Sequence, residues 1–147
     1  MAEQSIDEKA VLEVLNRILE TELAGVVRYT HYSLMVYGYG RIPIVSWMRE
    51  QANESLLHAQ QAGEMITHLG AHPSLGIGPL LETHKHDIGD ILRESLEHEG
   101  KSVDFYHQLL ALVQDRNVML EEYARGHIAQ EELHRGEVEK MLRRPGQ

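Results

Sequence analysis

Six side chains suited to holding divalent cations recur in this chain with a regular spacing: Glu22, Glu54, His58, Glu99, Glu131 and His134. Glu22 and Glu54 are 32 residues apart, and so are Glu99 and Glu131. Tyr29 and Tyr106 each follow a glutamate by seven residues. The pairs Glu22/Glu99, Tyr29/Tyr106 and Glu54/Glu131 therefore superpose at an offset of 77, with His58/His134 at 76. A twofold-like pair of helical hairpins explains that arithmetic. Hard carboxylate oxygens combined with imidazole nitrogens suit divalent iron, manganese or zinc.

The elements that must position these groups are helices. Glu22 interrupts an apolar stripe at helical spacing, Val11, Leu15, Ile18, then Val26, Tyr29 and Val36. Glu99 does the same within Ile88, Leu92, Leu96, then Val103, Tyr106, Leu110 and Val113. A second helix aligns Trp47, Gln51, Glu54, His58, Ala62, Met65 and Leu69, and a fourth Leu120, Ala124, His127, Glu131, His134, Val138 and Met141. Four carboxylates on one bundle axis repel each other unless cations or protons neutralise them.

The composition permits this and excludes much else. A chain of 147 residues, 42% hydrophobic and 25% charged, is the size of one domain, so residues 1–147 are taken as a single one. The absence of cysteine excludes thiolate nucleophiles, iron–sulfur clusters and thiolate zinc sites, and fits a reducing cytoplasm. A net charge of −9 argues against an extended nucleic-acid interface, making DNA an unlikely partner. No apolar run approaches a membrane span, and Met1 to Glu8 lacks the basic and apolar regions of a secretory leader, so no membrane association is expected.

Helix-breaking residues cluster at Gly38 to Pro43, Gly70 to His86 and Asp115 to Asn117. The first helix is expected from a capping box at Ser5-Ile6-Asp7-Glu8 to about Tyr37, and the second from about Ile44 to Leu69, closed by Gly70. The third should cover about Asp87 to Gln114, and the fourth Val118 to Arg143, where Arg143-Arg144 suits a helix C-terminus. Short outer connections make two antiparallel hairpins. The middle connection, roughly 17 residues, reaches at most about 56 Å, whereas a 26-residue helix is about 39 Å long. The expected fold is therefore all-α: a ferritin-like four-helix bundle with one long crossover between helices two and three.

Dimetal proteins of that fold take one glutamate from each of two helices and a Glu-x-x-His from each of the other two. Glu131-Glu132-Leu133-His134 matches, while Glu54-Ser55-Leu56-Leu57-His58 is one residue too long. Along nearly the whole chain the sequence resembles the bacterioferritins. The segments that carry the resemblance are Leu15 to Leu23, Glu54 to Ala59, Ile91 to Glu99 and Gln130 to His134. It implies an intrasubunit di-iron centre with Glu22, His58, Glu99, Glu131 and His134 as ligands, bridging paired-motif glutamates, and Tyr29 close to the metals.

Three departures from the family pattern matter. Ser55, not Glu54, falls at the family's glutamate position. We read one extra residue in helix two, accommodated as a π-bulge, so that Glu54 still reaches the metals; in a regular helix Glu54 and His58 lie only about 40° apart. Leu56 falls at the haem-ligating methionine, so no haem is expected. The sequence ends soon after helix four, without the family's short fifth helix, which suggests a smaller assembly such as that of the twelve-subunit mini-ferritins.

Among the remaining residues, His127 is a candidate extra ligand or access group, set against a hydrogen-bonded core histidine. His84, His86 and His98 are expected to face solvent, with transient iron binding as the other reading, and Tyr32, Tyr37 and Tyr39 to serve packing or an interface. The expected function is oxidation of Fe²⁺ to Fe³⁺ by O₂ or H₂O₂ and iron storage within a homo-oligomeric cage of 12 or 24 subunits. In that reading Glu22, Glu54, Glu99, Glu131 and Tyr29 are the catalytic residues. The alternatives are a dimetal peroxidase and a DNA-protecting, mini-ferritin-like stress protein.

Overall fold

A computed structural model describes residues 5–80 and 82–147. Residues 1–4, half of the stretch read for a leader, and Leu81 within the crossover lie outside the described residues. Four helices follow in order: α1 (Glu8–Met35), α2 (Arg41–His68), α3 (Ile88–Val113) and α4 (Val118–Leu142), with no strand among the described residues. The bundle and its single long crossover are as expected. None of the helices is long and apolar enough to cross a membrane.

Local chemistry sets the helix ends. Asp7, not Ser5, caps α1, its side chain accepting from the Ala10 amide at 3.2 Å. α2 starts three residues before the expected Ile44, because Pro43 falls within the first turn, where a helix has no use for its missing N–H. The Arg41 guanidinium donates back to the carbonyls of Ser33 and Val36 at the end of α1, at 3.2 and 2.6 Å. α2 ends in a Schellman arrangement: Gly70 takes φ +82°, its amide donates to Thr67 O, and the Ala71 amide donates to Ile66 O. Asp87 and Asn117 cap α3 and α4 through their side chains.

α1 packs against both α2 and α3, and α3 against α4. Gly25 of α1 lies so close to α2 that a Cβ there would approach Ser55 Oγ to 2.8 Å. Between Leu69 and Asp87 the crossover runs back along α1, held by Ser74 Oγ on Glu20 at 2.6 Å, the Gly78 amide on Glu20 O at 2.9 Å and the Thr83 amide on Glu94 at 2.8 Å.

Burial divides the interior into two apolar clusters. One joins Val11, Leu15, Ile18, Ile66, Leu109, Leu120 and Ala124; the other joins Tyr29, Tyr32, Val36, Met48 and Ile91. Four of the buried ionisable residues, one from each helix, fall near the junction of these clusters: Glu22, His58, Glu99 and Glu131. The apolar packing therefore fixes four helix segments around a polar layer that could not hold itself together.

Candidate metal centre

Each helix delivers one buried acid or imidazole to the polar layer because the residues one and two turns away are anchored in apolar packing. Glu22, His58 and Glu131 converge, with one ligand atom of each within 4.8 Å of the others. His58 Nδ1 is 3.6 Å from Glu22 Oε2 and 3.8 Å from Glu131 Oε1. Its other nitrogen, Nε2, is 3.4 Å from Glu54 Oε1. On the far side of Glu131, Glu99 Oε1 lies 4.0 Å from His134 Nε2. Tyr29 O–H donates to Glu99 at 2.8 Å and stands 3.2 Å from His134 Nε2.

All six expected metal residues and Tyr29 therefore line one region, but Glu54 differs from the rest. The other acids are buried, whereas 53% of the Glu54 side-chain surface is exposed, and Glu54 reaches the cluster from its edge through His58. α2 is α-helical throughout, with no π-bulge. Ser55 fills the inward position against Gly25. Glu54 and His58 are thus an i,i+4 pair on a regular helix.

The acids differ in electrostatics. Burial, then the charge of Glu99 and a hydrogen bond shared with it, push the Glu131 carboxyl up to about 12, so it holds a proton at neutral pH. Burial likewise raises Glu22, against the opposing pull of His58. Burial also acts to raise Glu99, but the hydrogen bond from Glu131, the charge of His134 and the Tyr29 hydroxyl outweigh it, and Glu99 stays below the usual carboxylate range. Burial keeps Tyr29 far above its ordinary value, so it acts as a neutral donor. Glu131 Oε2 is buried without a hydrogen-bond partner. A buried acid cluster that holds a proton on Glu131, with an orphaned oxygen and adjacent imidazoles, suits divalent cations, which would replace that proton.

Several supporting contacts were not legible in the sequence. The indole of Trp47 stacks on His134, with ring centres 5.8 Å apart and planes 10° apart. Ser102 and Tyr106 both donate to Glu22 Oε1, at 3.3 and 3.2 Å. Arg28 is buried beside Tyr29, its guanidinium carbon 5.5 Å from the ring centre. His127 stacks on Tyr106 at 4.8 Å and meets the edge of His58 at 4.7 Å, and burial lowers it to about 4, so it packs as a neutral ring. His98, expected in solvent, is buried and held neutral, also at about 4, by burial and the nearby Arg28. A cleft of about 380 Å³ between α2 and α4 reaches Glu54, His58, Glu99, Glu131 and His134, and an adjoining one of about 970 Å³ continues past His127.

The sequence pattern of the Ferritin-like domain family matches residues 12–145. The chain belongs to that family. This ferritin-like chain superposes with a TM-score of 0.87 on a ferritin-like, diiron-carboxylate protein from Bacillus anthracis, at 23% identity over 95% of this chain and 100% of that one. It also superposes on Rhodobacter capsulatus bacterioferritin, whose structure has a metal-free dinuclear site and haem iron (TM-score 0.82, 22% identity, 90% and 82% of the two chains). A third likeness is to the bacterioferritin-related protein of Bacteroides fragilis, a dodecameric thioferritin (0.81, 23%, 93% and 86%). At these identities the likenesses show the fold. No curated protein sequence matches the chain.

Proposed function

We propose that this ferritin-like chain oxidises Fe²⁺ to Fe³⁺ at an intrasubunit dinuclear centre and stores or detoxifies the product. The ligands in this reading are Glu22, Glu54, His58, Glu99, Glu131 and His134. The observation that carries it is the convergence of buried Glu22, His58 and Glu131, with Glu99 and His134 on the far side of Glu131. Ferrous ions are the substrate. Two of them give up one electron each; O₂ takes the pair with two protons to become H₂O₂, or H₂O₂ takes it with two protons to become two waters.

The protein supplies charge and order. Glu131 surrenders its proton when cations arrive, and its position between the Glu22 and Glu99 sides suits a bridging carboxylate. Tyr29 remains protonated and orients Glu99, while Trp47 fixes the plane of His134. The cleft between α2 and α4 gives small ions and oxidants a path past Glu54. Bound iron supplies the redox chemistry. Leu56, at the position of the family's haem methionine, keeps haem out of this reading.

The assembly in this proposal is a homo-oligomeric cage of 12 or 24 subunits in the cytoplasm, supported by the likeness to a dodecameric protein and a bacterioferritin. Aerobic ferrous loading with size-exclusion chromatography tests it. Growth of ferric absorbance in a particle far larger than a dimer is expected; absence of either sinks the storage reading. Glu131→Ala is expected to reduce the initial oxidation rate at least about tenfold, as loss of a metal ligand should exceed the loss of an outer-shell contact. An unchanged rate would mean that the site is elsewhere.

A further inference from the structure

A second convergence of imidazole and carboxylate lies away from the polar layer, where the crossover returns to α1 ahead of α3. His31 comes from α1, and Glu82 and His86 from the crossover. One ligand atom of each lies within 4.8 Å of the others. Glu82 Oε2 is 2.7 Å from His31 Nε2 and 3.4 Å from His86 Nε2, and the two imidazole rings are 5.6 Å apart at 71°. The other carboxylate oxygen accepts from the His84 amide, which leaves Oε2 for the imidazoles.

Two features point to a cation rather than a plain ion pair. His31 Nε2 is itself buried although its side chain is 44% exposed, and its approach to Glu82 lacks the alignment of a hydrogen bond. Glu82 Oε2 also lies within hydrogen-bond distance of His86 Nε2, so one oxygen meets both imidazoles while His31 Nε2 is left without a hydrogen bond. Divalent zinc or iron holds nitrogen and oxygen at about 2.0–2.2 Å, so donors on adjacent coordination positions stand between roughly 2.8 Å (octahedral) and 3.6 Å (tetrahedral) apart. The observed 2.7 and 3.4 Å lie close to that span. A cavity of about 180 Å³, lined by Val27, Arg28, His31, Tyr32, Leu80 and Glu82, adjoins the cluster.

We propose that His31, Glu82 and His86 form a second divalent-cation site that clamps the crossover to α1. Two imidazoles and one carboxylate select a borderline transition metal such as Zn²⁺ or Fe²⁺ over Mg²⁺ or Ca²⁺. The site shares no residue with the dinuclear centre and does not depend on it.

Equilibrium dialysis against Zn²⁺ with metal analysis tests the clamp in wild type, His31→Ala and His86→Ala, with circular dichroism confirming the fold. Each variant is expected to bind one Zn²⁺ per chain fewer than wild type. Zn²⁺ is also expected to slow proteolysis within the crossover about tenfold in wild type and in Glu131→Gln, but in neither histidine variant. Equal Zn²⁺ counts in all three proteins would overturn the site, and so would protection retained in both histidine variants. Anomalous scattering at the zinc edge from wild-type crystals gives a readout that needs no variant: a peak among the three side chains is expected, and its absence refutes the clamp.

Discussion

The hydroxyl of Tyr29, on α1, donates to Glu99 Oε1, on α3, at 2.8 Å. The reverse pairing also exists: Tyr106 of α3 donates to Glu22 Oε1 of α1 at 3.2 Å. Each hairpin thus orients the other's buried carboxylate, and the 77-residue repeat becomes a pair of reciprocal bonds across the bundle.

Those two bonds should not be equivalent in strength. Glu22 keeps Ser102 as a second hydroxyl donor to the same oxygen, whereas among the described residues Tyr29 is the one hydroxyl that donates to Glu99 Oε1. Tyr29→Phe should therefore destabilise the metal-free protein by about 1.5–3 kcal/mol, the usual range for a hydrogen bond to a charged group, and Tyr106→Phe by less. Urea denaturation of both variants against wild type checks the order.

Trp47 is the chain's one tryptophan, so its emission reports on His134 without added probes. Titration with Fe²⁺ under anaerobic conditions should change that emission at the dinuclear stoichiometry. Trp47→Phe should leave the helices intact and weaken metal binding about 10- to 100-fold, the usual effect of removing a residue that orients a ligand. Isothermal titration with Zn²⁺ measures the change.

Glu54 and Glu131 should respond differently to truncation. Glu131 lies within the buried cluster, but Glu54 is half-exposed and linked through His58 alone. Glu54→Ala is expected to slow initial ferrous oxidation by less than about tenfold, while Glu131→Ala exceeds that. Stopped-flow absorbance on both variants decides it; equal losses would place Glu54 on the metals as firmly as Glu131.

Acid should weaken the metal-free protein partly through His98. Its folded value, about 4, is depressed below the ordinary 6.5 by burial and by Arg28. Between those values the unfolded chain binds a proton that the folded one refuses. The contribution is complete above about pH 6.5 and is lost as pH falls towards 4, with a ceiling of about 3.5 kcal/mol at 1.4 kcal/mol per unit. His58, raised in the fold by its Glu22 pairing, acts with the opposite sign, so the difference between wild type and His98→Gln isolates the effect. Denaturation midpoints at pH 7 and 4.5 should converge in the variant.

The bundle was legible because its signals are local. Asp87, Asn117 and Gly70 act as caps where the periodicity ends, and a long middle connection leaves few topologies. The acids of the site were legible as interruptions of apolar stripes. What escaped was decided by segments without periodicity. His98 and Glu94 lie off the main α3 stripe, yet both are buried; the crossover bonds Glu94 through the Thr83 amide, and Tyr32 bonds it from α1. Glu54 escaped differently: the residue count allowed two registers, and α2 is a regular helix with Ser55 turned inward against Gly25. Trp47 was on its stripe, but a stripe says nothing of which ring it faces.

That contact between Gly25 and Ser55 also constrains how the chain can change over generations. With Ser55 present, Gly25→Ala introduces a Cβ at 2.8 Å from the hydroxyl; without the hydroxyl, the nearest partner is the Ser55 Cβ position at 3.3 Å. A larger residue at 25 therefore requires the Ser55 hydroxyl to turn away or be lost, and even then meets the residue 55 Cβ at 3.3 Å. A lineage that settled on this pair would meet the cost at residue 25, so the bare glycine is held in place by its neighbour's hydroxyl.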